Sequence, residues 1–171
     1  LHSHAGDGRD LRSVMDAVNR YLAADSTGGR FVTLIYLVID PDEHRLRWVS
    51  AGHGPNLLYD VENDQFEELA VHDIPLGVKS SWSYQECVRT DWPAPGLLIM
   101  GTDGIWETCN AEGQAFGTAG LKAVVRAVAH LSAEEICSKI VETLHRFSDG
   151  VPQRDDITLV VVKFLPTKRS P

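Results

Sequence analysis

Clustered positive charge is what this sequence most conspicuously lacks. Sixteen Lys and Arg stand against 24 Asp and Glu, for a net charge of -8. The cations are scattered along the chain, which argues against a nucleic-acid partner, because phosphate backbones are held by basic patches. Long apolar runs are absent too. None approaches the ~20 residues of a membrane span, so no membrane partner is expected. Cysteine is scarce: Cys87, Cys109 and Cys137 show no C-x-x-C spacing. An odd count without a pattern suits a reducing compartment better than a disulfide framework, so a cytoplasmic location is expected. The N-terminus "LHSHAGDGRD" has neither the basic nor the apolar region of a signal peptide, and no initiator Met, so a piece of a longer chain is expected. Internal repeats and low-complexity segments are missing as well.

What is present is enough for one domain with a sizeable core. The 171 residues are 43% hydrophobic and 23% charged, ordinary values for a globular chain. Leu11, Val14, Met15, Val18, Tyr21 and Leu22 recur at helical spacing, which predicts an amphipathic helix over 11–24. "FVTLIYLVID" (31–40) reads as a central strand buried on both faces. It is joined through the "PDEH" turn to "RLRWVSAG" (45–52) as a hairpin. "PNLLYD" and "FEELA" flank "VENDQ" as a second hairpin. "IPLGV" (74–78) is an irregular link. "SYQECVRTD" (83–91) alternates like a half-wet strand. "LLIMGTD" (97–103) is a strand, 118–130 a helix, and "SAEE" (132–135) a capping box opening a helix that runs to about Phe147. "ITLVVVKF" (157–164) reads as a final buried strand. Strands come in runs and helices in runs, so the fold class is α+β.

Two of these strands carry acid at one end. "LLIMGTDG" delivers Asp103 and Gly104, and "RDDITLVVV" begins with Asp155 and Asp156. If the strands lie antiparallel and adjacent, these carboxylates meet at one edge of a sheet. Carboxylates so close repel unless a cation lies between them. Oxygen-only ligands suit Mg²⁺ or Mn²⁺ rather than zinc. Gly104 is expected there because the backbone must turn sharply. No Ser-His-Asp or Cys-His arrangement is evident. His44, His72, His130 and His145 read as surface or cap residues, and the four tryptophans as packing.

The ordered set "FVTLIYLVID", "WVSAGHGPNLLY", "PLGV", "LLIMGTDGIWE", "FG" and "DDITLVVVK" resembles the PPM-type serine/threonine protein phosphatases, in their bacterial SpoIIE-like branch, from about Gly29 to Lys163. The resemblance implies an αββα sandwich of antiparallel sheets, with residues 1–171 as a partial phosphatase domain. It implies metal-dependent hydrolysis of phosphoserine or phosphothreonine on a regulatory protein, a STAS-type anti-sigma-factor antagonist. The alternative is a non-catalytic partner-binding module on the same fold. Asp103 and Asp155 become the metal-ligating catalytic residues, with Asp156 and Gly104 beside them, and two Mn²⁺ or Mg²⁺ ions in the complete domain. "AGH" (51–53) and "LG" (76–77) take packing or switching roles, and Trp106 fills core.

The family's upstream Asp-Gly metal pair and its N-terminal strands have no match in residues 1–28, and "GDG" (6–8), His2 and His4 do not replace them. The chain alone is therefore expected to be inactive and open to self-association, and an upstream sensor or receiver domain is expected in the same protein.

Overall fold

A computed structural model describes residues 10–25, 29–69 and 73–166. The "GDG" segment, His2, His4, His72 and the end of the C-terminal tail lie outside the described residues. The fold is mixed α+β, with three helices and two antiparallel sheets among the described residues. Among the described residues no helix is long and apolar enough to cross a membrane. The chain divides into two compact units, Leu1–His53 with Ala70–Trp92, and Gly54–Leu69 with Pro93–Pro171.

The first unit holds α1 (Leu11–Asp25) and the strands β1 (Leu34–Asp40), β2 (Arg45–Ala51) and β5 (Cys87–Arg89) in the order β1-β2-β5. The β1-β2 hairpin is the expected one, with Asp40 opposite Arg45. The apolar stripe of α1 puts Leu11 and Met15 into a core with Val49, Ala51, Leu76 and Tyr84. β1 corrects the expectation of a central strand. It is an edge strand and only half-buried, with Phe31, Val32 and Leu34 among the exposed large hydrophobics. β2 takes the central place, and its residues from Trp48 on are buried.

β5 is also shorter than the alternation over 83–91 suggested. Two backbone donors that would have extended it are engaged elsewhere. Tyr84 N–H donates to Asp16 Oδ1 and Gln85 N–H to Asp73 Oδ2, both at 2.8 Å. A charged acceptor outcompetes a ladder carbonyl at such positions.

Asn19 is fully buried on α1. Its Nδ2 donates to the carbonyl of Lys79 at 2.9 Å, and its Oδ1 accepts from Gly77 N at 2.9 Å and from the Tyr84 hydroxyl at 3.3 Å. These bonds satisfy a polar group whose burial would otherwise cost a few kcal/mol. Burial, with Asp73 and Asp16 nearby, pushes the Tyr84 phenol up to about 12 from 10.0. A raised folded-state pKa contributes stability that is complete below the unfolded value and is lost as pH climbs through the folded one. The urea midpoint is therefore expected to fall between pH 10 and about 12, and Tyr84→Phe should blunt that fall. An equal alkaline fall in both proteins would remove Tyr84 as its cause.

The second unit holds β3 (Asn56–Asp60), β4 (Gln65–Leu69), β6 (Gly96–Gly101) and β7 (Leu159–Phe164), ordered β4-β3-β6-β7, with α2 (Gly117–Val128) and α3 (Ala133–Ser148). Its core joins Leu57, Tyr59, Leu97 and Ile99 of the sheet to Leu121 and Val125 of α2 and to Ile136, Ile140 and Leu144 of α3. The expected capping box is present: Ser132 Oγ accepts from Glu135 N, and Glu135 Oε2 accepts from Ser132 N. Such a cap contributes about 1 kcal/mol.

β7 corrects a second burial expectation. It is an edge strand with Val160 45% exposed, whereas β6 beside it is buried from Gly96 to Ile99. An apolar run marks a strand but not its place in the sheet. Lys163 of β7 sends its ammonium to the carbonyls of Ala129 and Leu131, at 2.9 and 2.5 Å, just past the end of α2. A cation there satisfies carbonyls that the helix leaves open and complements its dipole.

Candidate active site

The site is built where β6 ends and β7 begins. The two strands pair antiparallel from Gly96 opposite Phe164 to Gly101 opposite Leu159. The segment after β6 therefore runs beside the segment before β7. Thr102 ties them together. Its N–H donates to Thr158 O at 3.1 Å, its hydroxyl donates to Asp156 O at 2.9 Å, and that hydroxyl accepts from Thr158 N at 2.9 Å.

Gly104 makes the closest approach. A Cβ there would lie 2.5 Å from Asp156 O and 3.2 Å from Asp155 O, too near for any side chain. Its φ is not in the left-handed region. Contact with the neighbouring backbone, rather than the sharp turn expected from sequence, is what requires glycine. Ile105, fully buried, pins the turn into the core. Ile105 N donates to Thr102 O, Glu107 N to Asp103 O, and Thr108 Oγ1 to Gly104 O at 2.6 Å.

The structure thus brings the turn carrying Asp103 and Gly104 against the Asp155–Asp156 segment at one end of the four-stranded sheet. All three aspartates are exposed. Asp103 Oδ1 accepts from Gly104 N at 3.1 Å, and Asp155 Oδ1 accepts from Asp156 N at 2.8 Å. These local bonds hold each carboxylate near its own backbone. Among the described residues no group of three or more His, Cys, Asp or Glu is assembled to hold a metal ion. The donors present are hard carboxylate oxygens open to solvent, which fit a hydrated Mg²⁺ or Mn²⁺ that keeps several waters.

Beside these residues opens a cleft of about 290 Å³, whose walls include Gly104 and Asp155 together with Cys109, His145, Ser148 and Arg154. His145, a helix residue read as surface, carried no signal in the sequence that would place it here. Arg154 was legible only as the neighbour of Asp155. Trp106 packs partly buried against the core, in line with its expected filling role.

The "AGH" and "LG" motifs lie in the first unit and pack there. Gly52 (φ +68) brings its backbone so close to Pro75 that a Cβ would sit 2.8 Å from Pro75 Cγ. Leu76 is buried and bridges to Val32.

Comparison with known proteins gives this geometry its context. The chain is 24% identical over 150 residues to phosphoserine phosphatase RsbU of Bacillus subtilis, covering 88% of this chain and 44% of that protein. It spans less than half the length of the curated relatives it matches. The phosphatase domain of SpoIIE from Bacillus subtilis, solved with a fragment of its regulatory domain, superposes with a TM-score of 0.74 at 23% identity, over 91% of this chain and 45% of that one. A manganese-presoaked structure of the SpoIIE phosphatase domain superposes with a TM-score of 0.63 at 21% identity, over 96% and 70% of the two chains. The fold is therefore that of these phosphatase domains. The family model described as Stage II sporulation protein E (SpoIIE) matches residues 1–165, and the chain belongs to that family.

Proposed function

We propose that this chain supplies part of the active site of a metal-dependent protein serine/threonine phosphatase. The observation that carries the reading is the backbone contact at Gly104, which sets the Asp103 turn against the Asp155–Asp156 segment. Two segments with acid at their facing ends, in contact at a glycine, set hard carboxylate oxygens at one end of the sheet. The activity of the relative RsbU and the manganese soak of the SpoIIE domain support it.

Asp103 and Asp155 would hold a divalent cation, with Asp156 as the neighbouring carboxylate and two ions in the complete site. Bound Mg²⁺ or Mn²⁺ supplies a water acidic enough to attack phosphorus and charge that offsets the phosphoryl oxygens. The chain's own part is positioning. Thr102 fixes the spacing of the two segments through three hydrogen bonds. Glu107 N donates to the Asp103 carbonyl, which keeps the turn that carries Asp103 closed. Exposure of the three aspartates leaves the site reachable by a phosphoserine on the surface of another protein. The substrate proposed is a serine-phosphorylated STAS-type anti-sigma-factor antagonist.

The test is phosphate release from such a phosphoprotein by the protein that carries this chain. Release is expected with Mn²⁺, is expected to vanish on chelation, and should return on adding Mn²⁺. Binding of the phosphoprotein with no Mn²⁺-dependent release would replace the phosphatase with a partner-binding module.

A further inference from the structure

The cleft beside the carboxylates has no role in the chemistry described so far. Its volume, about 290 Å³, is at the bottom of the range of small-molecule sites, roughly 300–1,000 Å³. It is large enough for one or two side chains. Leu144 of α3, Val151 and Ile157 give it apolar walls, and Leu144 is buried. Cys109 is half-buried in the wall. Glu107 and Asp155 also line it, so an acidic side chain would meet like charge. Arg154 and His145 add donors suited to peptide carbonyls.

We infer that this cleft is a specificity subsite that receives an apolar side chain of the phosphoprotein, from a residue close in sequence to the phosphoserine. The inference rests on the phosphatase reading for the identity of the ligand. It stands on continuity: Gly104 and Asp155 belong both to the carboxylate site and to the cleft wall. An extended peptide advances about 3.3 Å per residue, so a phosphoserine at the carboxylates places its near neighbours at the cleft. A buried apolar contact of this kind discriminates by about 10- to 200-fold.

The experiment uses fluorescein-labelled phosphoserine peptides carrying Leu, Phe, Ala or Asp at each of the three positions on either side of the phosphoserine. Binding is read by fluorescence anisotropy and turnover by phosphate release, with p-nitrophenyl phosphate as a substrate too small to use the cleft. The unaltered protein should bind the best Leu or Phe peptide at least about tenfold more tightly than its Ala counterpart, and the Asp peptide worst. Cys109→Trp, which fills the cleft, should reduce that preference to within about twofold and leave p-nitrophenyl phosphate turnover unchanged. Ser148→Phe fills it from the α3 side and serves if Cys109→Trp does not fold. Equal affinity for all the peptides, or a preference that survives a folded cleft-filling variant, overturns the subsite. A preference that disappears on filling, in a protein that releases no phosphate from any substrate, keeps the subsite and removes the phosphatase reading.

Discussion

Asp103→Asn is expected to lower phosphate release by about 10²-fold or more while leaving the protein folded. Asparagine keeps the size of the side chain and the oxygen that accepts from Gly104 N at 3.1 Å. It loses the negative charge that offsets a divalent cation. Removing one ligand weakens cation affinity and transition-state stabilisation together, so raising Mn²⁺ should restore only part of the rate. Stability should move by no more than about 0.5 kcal/mol, as is usual for an exposed position. Any change should be upward, because like charge beside Asp155 and Asp156 is relieved. The measurements are phosphate release from a serine-phosphorylated STAS-type protein and a urea titration. Near-normal turnover would return Asp103 to being an ordinary turn residue.

The second large effect is expected at Gly104. Gly104→Ala adds one methyl, which would lie 2.5 Å from Asp156 O and 3.1 Å from Asp156 C. Both are backbone atoms and cannot turn aside as a side-chain tip would. The β6 turn and the segment before β7 must therefore separate, at a cost of about 1–3 kcal/mol for a forced overlap. Separation moves Asp103 relative to Asp155, so phosphate release should be lost along with part of the stability. Gly113→Ala is the matched control. Its φ of +76 makes alanine strained, but nothing lies within 4 Å of the added methyl. It should lower stability by about 1 kcal/mol and spare the rate. If Gly104→Ala behaves like Gly113→Ala, the close backbone approach does not position the site.

Much of this site was legible in the sequence because its carriers are local. A buried apolar run ending in Thr-Asp-Gly and another beginning after Asp-Asp already specify two strands with acid at their ends. The register from Gly96 opposite Phe164 to Gly101 opposite Leu159 then makes the ends meet. The Ser132–Glu135 capping box was equally plain, since all its atoms lie within four residues. Strand order was not legible. "FVTLIYLVID" reads as a central strand and "ITLVVVKF" as a buried one, yet each lies at a sheet edge, because order is decided by pairings between distant segments. The early end of the 83–91 alternation was hidden for the same reason. Its backbone donors go to Asp16 and Asp73, 68 and 12 residues away from their partners. Nor could His145 be tied to a cleft whose other walls come from segments around Cys109 and Arg154.

The placement of Lys163 makes the four-stranded sheet lopsided toward other chains. Sheets commonly guard their rims with lysine, whose charge repels an incoming strand. Here the only charged residue of β7 is drawn inward to the carbonyls of Ala129 and Leu131. The opposite rim, β4, carries Glu67 and Glu68, both exposed. A foreign strand approaching β4 meets two carboxylates, whereas one approaching β7 meets the exposed Val160. Among the described residues of these two rim strands, outward charge is thus found on β4 alone.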